Sequence, residues 1–169
     1  GGVERVYKRM RMKQWHYASV ALPRHFVACV AFDAGYLGVG FAYVVDRETG
    51  LAHEWSTLIP LARGVTIAKS SVEGQSRVAR AGFGEVVFDY TQQGARSVAI
   101  DVEGHGHRLR ARLSMRDEGA PMVVTTELRP GRWLYTHKAY GLPAEGFVEL
   151  DGVREEAEEG QALGGLDWN

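Results

Sequence analysis

From Arg108 to Met115 the chain runs RLRARLSM, with Arg108, Arg110 and Arg112 at one parity and Leu109, Ala111, Leu113 and Met115 at the other. Side chains alternate between the two faces of a strand, so this segment predicts a strand with one wet and one dry side. The stretch SVAIDVE repeats the pattern, Val98, Ile100 and Val102 opposing Ala99, Asp101 and Glu103. Further strand-like runs occupy Gln14–Leu22, residues 51–59 and residues 121–131, and two more lie within 132–152, each bounded by Gly or Pro. SRVARAG and GEVVFDYTQQG form either one bent strand or two, because Gly82 and Gly84 mark a bulge or a corner. LARGVTIAKSSVEGQ, rich in small and polar residues, predicts a connection. The only helical pattern is REEAEEGQALGGL, Arg154–Leu166, which is short, acidic and interrupted by glycine. About eight to eleven strands at this spacing predict an all-β antiparallel barrel or barrel-like sandwich, with at most one short C-terminal helix.

Residues 26–45, FVACVAFDAGYLGVGFAYVV, break the alternation. They hold sixteen apolar residues, three glycines and one charge, Asp33. Twenty residues is about the length of a membrane-spanning helix. Insertion of the nine strongest apolar side chains is worth roughly 4 kcal/mol, and Asp33 alone returns about 2.5–3.5 kcal/mol. Local chemistry decides for strands: Val, Phe and Tyr crowd both halves, and DAGY at Asp33–Tyr36 sits where a hairpin would turn. No membrane span is expected. Phe26, Ala28, Val30 and Phe32 share one face, and Val27, Cys29 and Ala31 the other. Leu37, Val39, Phe41, Tyr43 and Val45 likewise oppose Tyr36, Ala42 and Val44. A hairpin apolar on both faces needs cover on both sides.

Composition narrows the functional classes. A net charge of −1 over 169 residues gives no long-range pull toward nucleic acid or anionic lipid. The single cysteine, Cys29, can form neither an internal disulfide nor a CxxC metal site, and lies in a strand pattern as a buried thiol. The start, GGVERVYKRM, lacks the apolar centre of a signal peptide, so a cytoplasmic location is expected. Sixteen of the twenty basic residues are Arg and the only Asn is Asn169, a codon bias expected of a GC-rich, bacterial genome.

There is no GxSxG elbow, Walker loop or HExxH pair, and the glycines of GYLGVG sit inside a strand, not at a dinucleotide turn. His105 and His107 in EGHGHR lie at a hairpin turn with no third ligand nearby in sequence. Neither metal nor organic cofactor is expected. GRWLYTHKAYG is the richest stretch for chemistry. Trp133, Tyr135 and His137 share one face, joining two aromatic surfaces to an imidazole that titrates near neutrality. Lys138 and Tyr140 share the other, a cation beside a phenol. QWHYAS offers a related set, Trp15 and Tyr17 opposite His16, where a satisfied or exposed strand histidine is the simpler reading of His16.

WHYASV, FDAGYLGVGFAYVVDRETG, THKAYGLPAEGFVELDG and the closing ALGGLDW together resemble a bacterial family, domain-of-unknown-function family 2804. The resemblance covers most of the chain and is most specific in THKAYGLPAEG and LGGLDW. It implies a lipocalin- or calycin-like lobe, with 1–169 as one β-barrel lobe forming the first half of a two-lobed protein. The architecture is similar to that of proteins including carotenoid hydratases and pericyclic-reaction cyclases, from which no catalytic residue can be carried to a position here. Three readings follow. The lobe binds an apolar small molecule (lipid, isoprenoid or polyketide) in its interior or at the junction with a second lobe, through Trp15, Tyr17, Trp133, Tyr135 and His137. Alternatively it is an acid–base enzyme, a hydratase, isomerase or cyclase, with His137, Tyr135 or Lys138 as proton carriers. In the third reading it is a scaffold for the other lobe.

Overall fold

A computed structural model describes residues 2–92, 94–158 and 160–169. Among the described residues one helix, α1 (Gly2–Arg11), precedes thirteen strands. In chain order these are β1 (Gln14–Ala21), β2 (His25–Asp33), β3 (Leu37–Asp46), β4 (Ala52–Pro60), β5 (Val65–Thr66), β6 (Gly74–Arg80) and β7 (Gly84–Gln92). They continue as β8 (Ala95–Gly104), β9 (His107–Arg116), β10 (Met122–Arg129), β11 (Arg132–Leu150), β12 (Val153–Ala157) and β13 (Leu163–Trp168). All pairings are antiparallel and run β4-β3-β2-β1-β13-β11-β9-β8-β7-β6-β5, with β10 and β12 also pairing β11. The sheet folds over so that β2 and β3 face β5, β6 and β7, giving a nearly closed, flattened barrel.

The alternation read from the sequence holds. Val98, Ile100, Val102, Leu109, Ala111, Leu113 and Met115 are all buried, whereas Arg108 and Arg110 reach outward to Asp101 and Glu149. Residues 26–45 form the hairpin β2–β3, with Asp33 accepting the Gly35 amide at the turn (2.6 Å). SRVARAG and GEVVFDYTQQG are two strands, β6 and β7. No helix among the described residues is long and apolar enough to cross a membrane.

Two expectations need correction. Residues 154–166 are not helical: Val153–Ala157 pair with β11 and Leu163–Trp168 with β1. The two available strand edges overrule a weak, glycine-interrupted helical pattern, because pairing satisfies the backbone that a short helix leaves open. The helix stands at the other end, where Val3, Val6, Tyr7 and Met10 recur at helical spacing and Glu4 pairs with Lys8 (2.8 Å). The segment expected to hold two strands, 132–152, is one strand of 19 residues with a register shift between Tyr140 and Leu142.

The interior is filled. Val20, Leu22, Val27 and Val44 meet Val86, Phe88, Ile100 and Leu109 across it, all at 1% exposure or less. A residual cavity beside Ala18, Val27, Cys29 and Ile100 measures about 10 Å³, scarcely room for one water. At the end opposite Tyr90, His25 is 2.6 Å from Glu155 and the Trp55 indole donates to the His107 carbonyl (3.3 Å).

Closure depends on β11 bending. Gly146 has φ +121°, and a Cβ there would lie 2.0 Å from the Arg112 carbonyl oxygen on β9. Gly152 has φ +85° but open space around it. Gly152→Ala should therefore cost only conformational strain, about 1–2 kcal/mol. Gly146→Ala adds a backbone collision and should cost clearly more, as read from urea unfolding of the two variants side by side.

Candidate functional site

Strands β1, β13 and β11 lie side by side and carry polar and aromatic residues on both faces. Register fixes which residues share a face: His16, Trp168 and His137 form one row, and Tyr17, Asp167 and Lys138 the next. The first row points inward and the second outward.

On the outer face, Trp15, Tyr17, Val30, Phe32, Val39, Phe41 and Tyr140 line an open groove of about 540 Å³. This is the second apolar face of the β2–β3 hairpin. The inner face is core, with Val27, Cys29 and Ala31 at 1% exposure or less, while Val30, Phe32 and Phe41 stay half-buried. Asp167 is the groove's one acidic lining residue; it pairs with Lys138 and accepts the Thr136 hydroxyl (3.2 Å). Partial burial raises the Tyr17 phenol above its ordinary pKa. A second surface depression, about 720 Å³ across β7–β9, β11 and β12, has a mixed lining in which Val87, Ala99 and Ala157 lie among Asp89, Arg112 and Glu145.

On the inner face the chemistry is different. His137 is buried and its Nδ1 lies 2.8 Å from Ser71 Oγ, which is 3.1 Å from the Tyr135 hydroxyl. Tyr135 is 36% exposed, so this hydrogen-bonded chain runs from solvent to the interior. Arg96, itself buried, donates from Nη1 to the Ser71 carbonyl (2.9 Å) and from Nη2 to Asp117. Burial, then the Arg96 charge, holds His137 below its ordinary pKa. His16 is fully buried, stacked on Phe88 and edge-on to Tyr90, with Nδ1 2.8 Å from Ser76 Oγ. Burial and then Arg96 push it from 6.5 to about 3.

The sheet thus divides the residues expected from sequence. Trp15 and Tyr17 line the outer groove, and Lys138 shares that face through Asp167 without lining the groove; Tyr135 and His137 belong to the inner end, joined through Ser71. Trp133, on the inner parity, lies beyond the body of the sheet and is 62% exposed. Lys138 is tied to Asp167 on the face away from His137. His107 bonds Asp151 (2.6 Å) and faces His53, with ring centroids 4.2 Å apart. Among the described residues no three His, Cys, Asp or Glu side chains group as metal ligands.

Ser71, Ser76, Tyr90 and Arg96 were not singled out by sequence reasoning. Three of them carried a signal: Arg96 shares the dry parity of Val98 and Ile100, Ser76 that of Val78, and Tyr90 that of Phe88. A polar residue in a dry register must find buried partners. Ser71 had none, because it comes from a loop.

The neutral state of His16 makes stability depend on pH. Its folded pKa lies below the unfolded value, so the unfolded chain binds more protons and stability falls as pH drops below about 6.5. The slope from this group approaches about 1.4 kcal/mol per pH unit, down to a pH near 3. Urea midpoints at pH 7 and pH 5 should differ markedly for the native sequence and less for His16→Gln.

A family model for a domain of unknown function, DUF2804, matches residues 3–169. No curated protein matches the sequence. Solved structures share the fold, among them the following three. A protein described as a candidate AttH from Nitrosomonas europaea is 11% identical with a TM-score of 0.59, the match covering 92% of this chain and 50% of that one. Kievitone hydratase from Nectria haematococca is 12% identical with a TM-score of 0.51, covering 95% and 48%. CghA, solved with Sch210972, is 16% identical with a TM-score of 0.55, covering 92% and 44%. This chain spans about half the length of these structures.

Proposed function

The chain belongs to the DUF2804 family, and from that premise we propose that its outer aromatic groove binds an apolar small molecule (a lipid, isoprenoid or polyketide) at a junction with a second lobe. The observation that carries this reading is the groove itself: seven apolar or aromatic side chains around about 540 Å³ on a half-exposed sheet face. The packing around Val27, Phe88 and Ile100 argues against the alternative of an apolar ligand in the middle of the barrel. The second lobe, as cover for the groove, is supported by the doubled length of the solved relatives. One of these relatives, CghA, was solved with Sch210972, and another is a hydratase. A bacterial, cytoplasmic setting completes the reading, supported by the arginine-rich composition and the single cysteine.

Nile red, a neutral apolar dye, should bind saturably with a rise in fluorescence, and lipophilic material should be extractable from the purified protein. Phe41→Asp puts a charge in the groove and should weaken dye binding about tenfold or more, given the ~1.5–3 kcal/mol of burying such a side chain. Equal binding by the native chain and this variant would remove the groove from consideration.

One observation favours a second reading, acid–base catalysis on an apolar molecule that meets the exposed Tyr135 at the inner end instead of the outer groove: the chain Tyr135 hydroxyl, Ser71 hydroxyl, His137 imidazole. A neutral His137 can accept a proton, and the serine and phenol can return it to solvent. Tyr135→Phe and His137→Gln should each slow turnover of the extracted ligand by about 100-fold or more. Unchanged turnover in both would exclude this chain as the proton carrier.

A further inference from the structure

Among the described residues, four side-chain atoms are buried without a hydrogen-bond partner: His16 Nε2, Tyr90 Oη, Arg96 Nε and Trp168 Nε1. All four belong to one end of the barrel. His16 meets Tyr90 edge-on with centroids 4.6 Å apart, the Arg96 guanidinium lies 4.9 Å from the Tyr90 ring centre, and Trp168 is paired in register with His16. A buried polar group left unmet destabilises the fold. All four such atoms among the described residues lie at this one end, beside a core closed to 0–4% exposure around Phe88, Ile100 and Leu113.

The chemistry of the four atoms defines what they lack. The Arg96 Nε–H and the Trp168 indole N–H can only donate. Ser76 Oγ accepts the Ala68 amide (2.8 Å) and lies 2.8 Å from His16 Nδ1; in the tautomer where the hydroxyl donates to Nδ1, the imidazole proton sits on Nε2 as a third donor. Tyr90 supplies a fourth through its hydroxyl. Arg96 brings a positive charge into the cluster; its carboxylate partner, Asp117, is exposed and binds Nη2, not Nε. The connection at 67–73 spans this end, with Ser71 held by Arg96 and His137.

We propose that this end of the barrel is a binding site for an acceptor-rich, negatively charged oxygen group, a carboxylate or an enolate, received by Tyr90, Arg96, Trp168 and His16 beneath the 67–73 connection. The site lies on the opposite face of the sheet from the aromatic groove and does not depend on it. A cation is a poor fit, since the cluster already carries the Arg96 charge and presents donors. An apolar group is a poor fit because it would leave every donor unpaired.

Acetate is the probe. In the ¹⁵N-labelled chain, the indole N–H resonance of Trp168, assigned by its loss in Trp168→Phe, should shift saturably with sodium acetate. Sodium chloride at matched ionic strength should not reproduce the shift. Tyr90→Phe removes one donor and keeps the ring, and should weaken the apparent acetate affinity about three- to tenfold. Arg96→Gln should abolish binding; should that variant fail to fold, Tyr90→Phe carries the test. Absence of a saturable shift, an equal shift with chloride, or unaltered affinity in Tyr90→Phe would each overturn the proposal. Nile red binding reports on the other face, so the two sites stand or fall separately.

Discussion

The lobe closes because β11 (Arg132–Leu150) belongs to two sheet halves. Its first half pairs with β10 and β13, and its second half with β9 and β12. The register shift after Tyr140 and the left-handed backbone at Gly141 and Gly146 let one strand turn between them. From that turn follows the facing of β2–β3 onto β5–β7, which buries one side of the apolar hairpin. The other side becomes the outer groove, so the groove and the core have the same cause.

The same turn concentrates polarity at one end. Where β1, β13 and β11 run past the packed interior, their inward positions are His16, Trp168 and His137 instead of aliphatic residues. Low dielectric strengthens every hydrogen bond made there and penalises each one missing. His137 and Tyr135 are satisfied through Ser71, whereas His16, Tyr90, Arg96 and Trp168 each keep an unused polar atom. Arg96, at 4% exposure, is held there by Asp117 and the Ser71 carbonyl.

Legibility in the sequence followed distance along the chain. Alternation in RLRARLSM and SVAIDVE named the dry residues correctly, because period-two patterning is a local consequence of strand geometry. The turn at Asp33–Tyr36 was legible for the same reason. The C-terminal strands divide on the same line: Val153–Ala157 fold back on β11 through the local Asp151–Gly152 turn, a hairpin signal the helical reading passed over, whereas Leu163–Trp168 are captured by β1, about 150 residues away. The pairing of Tyr135 with His137 on one face was visible on a single strand. The serine that links them lies 64 and 66 residues upstream and no local pattern marks it.

By itself, then, the sequence determined the all-β class, the faces of each strand and the presence of a hairpin with one apolar face too many. Those properties depend on side-chain alternation and turn chemistry within a few residues. Only the tertiary structure decided that the interior is filled, that Trp15 and Tyr17 are separated from His137 by the thickness of the sheet, and that Arg96, Tyr90, His16 and Trp168 meet. Long-range strand order sets these outcomes, and strand order is fixed by which edges find partners when the whole chain collapses.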